Sequence, residues 1–339
     1  MTKISKYIKQ SLMILTVFLF SVFNPLSGQN KVGTTIFQFL KVMPDAQSTG
    51  MGDAVTSTIN NANAVFYNPA GLSDVKKGDL SLSFYKYFFD VKTTALSLAY
   101  NIGTGGTLGL HTIFTDVGSI DVTTTEQLVF LEDGTYNPGL TGETISPSQM
   151  VVGLSLAKSL TEKFSFGVTS KYVREDLVMA SADGFVFDFG LLYKTGYRTL
   201  QTSAVIRNFG PEVSFRDEDP ETDNVDFESY PPPQTLVIGV SGFIISSASP
   251  MFFRSEEQSL RAAFEIVGPR DYGQQYNTGL EWGYQDLLFI RTGYKFNYDT
   301  QGINFGMGVR INNFRGDYSY ASYGKYLLNI HRISAGIEF

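Results

Sequence analysis

The residues with the chemistry to do work are Arg261, Glu265, Glu281, Arg291, Lys295, Arg310, Arg315, Asp317, Arg332 and Glu338. Each falls on the polar face of an alternating segment, so all of them point to one side of whatever the segments build. Both signs occur. Paired charges bracing one another therefore fit better than a single-sign ion filter, with a polar conduit as the alternative. The two histidines, His111 and His331, lie far apart and neither has an acid and a nucleophile nearby in sequence, so a catalytic triad is not expected. With no cysteine in the chain, thiol chemistry and cysteine metal sites are excluded. The acidic stretch from Asp217 through Asp219 to Glu228 offers hard oxygens but lacks the spacing of a calcium loop, and reads as a solvated external loop. No metal and no cofactor is expected.

The elements that position these residues are strands. From residue 79 onward the chain repeats segments of alternating apolar and small or polar residues. In one of them Ile303, Phe305, Met307, Val309 and Ile311 alternate with Gly302, Asn304, Gly306, Gly308 and Arg310. The pattern predicts fourteen strands, near 79–90, 92–102, 106–116, 148–158, 163–174, 184–194, 198–207, 234–244, 258–267, 275–284, 286–297, 302–311, 314–322 and 328–339. Most are about 10 residues long, the length that crosses a bilayer as a tilted strand and longer than the usual soluble strand. Closure into a barrel satisfies every backbone donor and acceptor in lipid.

Connection lengths point the same way. The links 117–147, 175–183, 208–233, 268–274, 298–301 and 323–327 fall on one side, and the tight links 103–105, 159–162, 195–197, 285 and 312–313 on the other. Long outer loops and short inner turns are the asymmetry of outer-membrane barrels. Two links break the rule: 245–257 is long yet inner, and the link at 91 is short yet outer. The run Gly103-Thr104-Gly105-Gly106 lacks the ending of a phosphate loop and reads as an inner turn.

Residues 1–28 carry Lys3, Lys6 and Lys9, then the apolar run Leu12 to Phe23, and read as a secretory signal peptide. They hold no acid, so without them the chain is three charges more negative than its formal −7. Such a chain repels phosphate backbones, and nucleic-acid binding is not expected. Residues 29–78 alternate poorly and are long enough to fold inside a barrel spanning 79–339 as a plug. Within them Gly50, Met51 and Gly52, and Asn68, Pro69 and Gly71, read as tight turns that give the plug its shape. Asn68 alone is weighed as a direct ligand contact.

Two motifs in that stretch are Phe39-Leu40-Lys41-Val42-Met43-Pro44-Asp45-Ala46-Gln47-Ser48-Thr49-Gly50-Met51-Gly52-Asp53-Ala54 and Asn63-Ala64-Val65-Phe66-Tyr67-Asn68-Pro69-Ala70-Gly71-Leu72. Together they resemble the N-terminal region of the PorV/PorQ family, a branch of the FadL-type fourteen-stranded barrels; Gln47 stands where that family usually has Arg. The resemblance implies a Bacteroidetes-type outer membrane and a part in type IX secretion, where a family member receives exported proteins from a translocon and passes them to an attachment enzyme.

The expectation is thus an all-β fold: a transmembrane antiparallel barrel of fourteen strands in the outer membrane, with its N-terminal plug in the lumen and no enzyme activity. Its partners would be outer-membrane lipid and secreted cargo proteins or a secretion translocon. Docking would fall to the outer loops, through Val129, Phe130, Leu131 and Tyr136 of the first and Asp217 and Asp219 of the second. An apolar loop tip without a partner is an aggregation liability; folding back over the barrel mouth is its alternative. A FadL-like transporter of hydrophobic small molecules is the rival function, although the C-terminal lumen looks too charged for a mostly apolar route. A barrel-borne hydrolase is the weaker rival, since no spacing sets a nucleophile beside a base.

Overall fold

A computed structural model describes residues 32–130, 134–217, 227–324, 327 and 329–339. The expected signal peptide of residues 1–28, together with Leu131 and Asp219, lies outside the described residues. Fourteen strands form a closed antiparallel ring: β1 Gly78–Lys86, β2 Lys92–Asn101, β3 Thr107–Asp116, β4 Ser148–Ser159, β5 Phe164–Asp176, β6 Ala180–Lys194, β7 Gln201–Phe209, β8 Thr235–Ser246, β9 Gln258–Pro269, β10 Gln275–Tyr284, β11 Leu288–Phe296, β12 Ile303–Ile311, β13 Phe314–Ala321 and β14 Ile330–Glu338. Each strand pairs with the next, and β1 closes on β14 through pairs such as Leu82↔Ala335 and Phe84↔Ile333. The all-β, fourteen-stranded fold expected from the alternation is the fold observed, and no helix among the described residues is long and apolar enough to cross a membrane.

Alternation sets the two faces. Along β12, Ile303, Phe305, Met307 and Val309 are exposed on the outer wall while Asn304, Gly306 and Gly308 are buried toward the lumen. Met307 and Ile333 are each 61% exposed and Leu154 is 65% exposed, an apolar band that only lipid can cover at low cost. Aromatic side chains edge this band at both ends, with Tyr100, Tyr193, Phe314 and Phe339 near the turns and Phe114, Phe209 and Phe296 near the loops. At the inner end, Asn312 turns β12 into β13 at φ +53, a left-handed conformation that Asn tolerates and a two-residue hairpin needs.

The structure departs most from the alternation in three places. Strand β1 stops at Lys86 rather than 90, because Tyr87 and Phe88 turn inward onto Tyr323 and Phe89 adopts φ +54. The link expected over 175–183 shrinks to 177–179, as β5 and β6 run on through Arg174↔Asp183 and Asp176↔Ser181. The loop 117–147 holds its own small sheet, Ile120–Thr123 against Leu140–Ile145. The ring is hydrogen-bonded along every seam, with two one-residue irregularities, at Phe187/Phe189 and at Phe243/Ile245.

The stretch from residue 32 to β1 fills the interior. It starts at the loop end, where the Ile36 N–H donates to the Pro231 carbonyl and Phe37 and Leu40 pack with Val151, Val173 and Val186. It then descends through helix α1 Ala46–Gly50, helix α2 Ala64–Tyr67 and a 3-10 turn Pro69–Asp74 to enter β1 at the opposite end. Ala46, Ala62, Ala64, Val65 and Leu72 are fully buried there. These helices are too short to hold themselves together in water, so the surrounding wall must order them.

Candidate functional site

The lumen is the candidate site, and its geometry starts from where the N-terminal stretch touches the wall. Gly50, Met51 and Gly52 lie against the inward glycines of β10, β11 and β12. A Cβ on Gly306 would stand 2.9 Å from the Gly50 α-carbon, and one on Gly293 would overlap the backbone of Met51 and Gly52. The second motif meets β5 and β6 in the same way, with Pro69 and Ala70 on Gly167 and Asn68 on Gly190. The wall has no side chains at these places because backbone occupies their volume.

Asn68 is fully buried and wholly engaged. Its amide donates to the Thr56 carbonyl at 2.7 Å and the Leu191 carbonyl at 3.3 Å, and its oxygen accepts from the Ala70 N–H at 3.0 Å. An Asn so occupied shapes the chain, with no polar atom left for a ligand. Asp45 caps α1 by accepting from the Ser48 N–H and is held in turn by the Asn63 amide at 2.7 Å.

The charged residues form pairs between neighbouring strands and between the wall and the N-terminal stretch. Arg291 donates to Glu281 at 2.7 Å and to Asp317 at 2.6 Å, and Arg261 approaches Glu281 at 3.7 Å while lying over the Phe243 ring. Arg315 forks onto Asp79, whose Oδ1 also accepts from the Ala62 N–H at 2.8 Å. Lys295 reaches Asp53 of the N-terminal stretch; burial raises the Asp53 carboxyl, but the nearby ammonium outweighs it and holds the group below its usual range. Arg332 donates to the Met43 carbonyl at 3.1 Å and sits 4.7 Å from the Tyr85 ring centroid. Glu265 accepts from both the backbone N–H and the hydroxyl of Thr56, each at 2.6 Å.

Seven of the ten singled-out charges, Glu265, Glu281, Arg291, Lys295, Arg315, Asp317 and Arg332, are buried in the lumen, whereas Glu338 at the strand end is exposed. Arg261 is partly buried, and Arg310 is exposed at the inner mouth over the Phe289 ring. Three contributors were not singled out from sequence. Asp79, Lys171 and Asp188 share the inward parity that marks Arg291, and Lys171 joins Asp188 at 2.7 Å with Asn208 beside them. Nothing in the sequence pairs them, because their contact is between strands. His111 is buried against Phe66 and Gly153, and His331 stands exposed on the outer wall bonded to Tyr318. Among the described residues no cluster of His, Asp or Glu is placed to hold a metal.

In the long outer loop, Val129, Phe130 and Tyr136 are exposed, and the rings of Phe130 and Tyr136 pack at 5.3 Å between centroids. Asp217 lies in a two-residue strand paired with β6. Among the described residues, the two larger cavities beside the N-terminal stretch measure about 210 Å³ near the loops and about 360 Å³ near the turns. Charged and amide side chains line both, among them Asp53, Arg207 and Lys295 in the first and Arg261, Glu281 and Arg310 in the second.

No protein-family model and no curated protein matches the chain. Solved structures do. A deletion mutant of the monoaromatic hydrocarbon channel TodX superposes with a TM-score of 0.52 at 14% identity, covering 87% of this chain and 98% of that one. The Pseudomonas putida toluene transporter TodX gives 0.52 at 15% identity over 86% and 96%. A Pseudomonas aeruginosa FadL homologue gives 0.49 at 13% over 92% and 100%. The first two of these neighbours are a channel and a transporter. At such identities the likeness is one of fold: the chain forms the same kind of closed antiparallel barrel as the two TodX structures.

Proposed function

We propose that this barrel is a sealed, non-enzymatic docking component of protein export of the PorV/PorQ type, engaging exported proteins or a translocon through its outer loops. The observation that carries this reading is the fit between plug and wall. Plug backbone lies directly on wall glycines on two sides of the lumen, and the space left over is divided between a polar cavity near the turns and a cavity of mixed polar and apolar lining near the loops, which share no residue. A conduit for apolar molecules needs a continuous apolar lining, which these cavities lack. The exposed Phe130 and Tyr136 supply an apolar contact on a loop that leaves the membrane.

The second reading, passage of a hydrophobic small molecule, is the one favoured by the fold shared with a toluene transporter. One pair of experiments separates the two. A photo-crosslinking residue at Phe130 or Tyr136 in cells is expected to yield adducts with a secreted protein or a large barrel partner, while proteoliposomes holding the protein take up no toluene. Toluene uptake above that of empty liposomes, with no protein adduct at either position, would overturn the docking reading in favour of the channel.

A further inference from the structure

The long inner link that breaks the loop asymmetry forms one side of a cavity. Residues 247–257 fold back so that Phe253–Arg254 runs parallel to the end of β8, pairing Ile245↔Phe253 and Ser246↔Arg254. Arg198, on the neighbouring inner turn, fixes the fold by donating to the carbonyls of Pro250 and Met251 at 2.6 Å each. The pinned link forms one wall of the 360 Å³ cavity at the inner mouth, within the ~300–1,000 Å³ typical of small-ligand sites. Hydroxyls of Ser246, Ser247 and Ser255 line that wall, and Gln47 and Asn60 of the plug line its roof.

Opposite the link stand three guanidinium groups in unequal states. Arg291 is saturated by Glu281 and Asp317. Arg261 shares the same Glu281 at 3.7 Å. Arg310 has no carboxylate within ion-pair distance among the described residues; its guanidinium rests 5.5 Å from the Phe289 ring centroid with its donors free. A stacked guanidinium with free donors at the edge of a hydroxyl-lined cavity is built for a planar anion. Glu256 on the same lining is held by Arg254 at 3.3 Å, and Glu257 and Asp286 weigh against a dianion such as phosphate and leave a singly charged carboxylate as the match.

We infer that the inner mouth is a carboxylate site in which Arg310 and Arg261 receive one carboxylate presented from the periplasm. The carboxylate arrives either on a free small acid or on an acidic side chain of an extended polypeptide. The site stands on the barrel's orientation and on its own geometry, so it survives if outer-loop docking fails, and the reverse also holds.

Isothermal titration calorimetry on the full-length protein in nanodiscs tests this with four probes: the capped tripeptide acetyl-Gly-Asp-Gly-amide, its Asn counterpart, acetate and inorganic phosphate. The Asp peptide is expected to bind at least tenfold more tightly than the Asn peptide, and Arg310→Gln is expected to erase that preference. Ala248→Trp, which fills the cavity from the pinned link and leaves every arginine in place, is expected to abolish binding of the Asp peptide. Acetate matching the Asp peptide assigns a small acid as ligand, and a tenfold advantage for the peptide assigns a polypeptide segment. Equal affinity for the Asp and Asn peptides, an unchanged preference in Arg310→Gln, or tighter binding of inorganic phosphate than of the Asp peptide would each overturn the assignment. Heat-modifiable migration identical to wild type verifies that each variant is folded.

Discussion

Replacing Arg315 by Met isolates the joint between plug and barrel. Asp79 is 1% exposed and Arg315 8%, and the carboxylate is shared between the guanidinium fork and the Ala62 N–H of the plug. Met keeps most of the side-chain volume and removes the charge, leaving Asp79 buried with a single backbone donor. Breaking a buried pair from one side costs about 3–5 kcal/mol, because the remaining charge has lost its compensation. Replacing both partners, as in Asp79→Asn with Arg315→Met, removes the orphan charge and should recover a large part of that loss. Denaturant unfolding of the folded barrel in lipid, followed by heat-modifiable migration, measures all three proteins as a double-mutant cycle. The double variant is expected to be more stable than Arg315→Met alone. A cost below about 1 kcal/mol for Arg315→Met, the range of exposed pairs, would refute the reasoning, since it would mean that water reaches the pair.

Met307→Arg sets a charge at mid-strand on the lipid-facing side of β12 and should destabilise the barrel by about 2–4 kcal/mol in an unfolding titration in bilayers. Gly293→Val puts a branched side chain where Met51 and Gly52 lie; the expected result is a folded ring whose N-terminal stretch becomes open to protease, read by limited proteolysis and mass spectrometry. The outer seat of the plug should resist mild acid. Burial raises the Asp271 carboxyl, but Lys41, Gln38 and Thr35 outweigh it and hold the folded value below the ordinary 3.8. Its contribution is therefore complete above the unfolded value and lost as pH falls through the lower folded one. Hydrogen exchange across residues 35–41 is expected to be equally slow at pH 7 and pH 5 after correction for intrinsic rates, and to quicken only below about pH 4.

Much of the barrel was legible because lipid on one side and protein on the other impose period two on every strand. Met307 and Gly306 are assigned to opposite faces by alternation alone, and the structure places them so. Strand ends were less legible. Tyr87 and Phe88 read as a continuation of β1, but their fate depends on Tyr323, more than 230 residues away. The lumen was legible as a set of inward charges and inward glycines, not as a set of partners. Period two puts Asp79 and Arg315 on one face, yet only the register of β1 on β14 and of β14 on β13 brings them together. The glycines of β10 to β12 read as a small face, and what they make room for became visible only with the plug in place. The same holds for the long inner link at 245–257, an exception to the loop asymmetry until its fold-back strand and the Arg198 anchor are seen.

The account rests on the lumen being closed by chain packed against chain. Planar-bilayer recording of the wild-type protein tests this most directly. The account predicts a silent membrane, with conductance steps appearing in Gly293→Val, where the plug can no longer seat. Stable open steps in the wild type, indistinguishable from those of the variant, would contradict it.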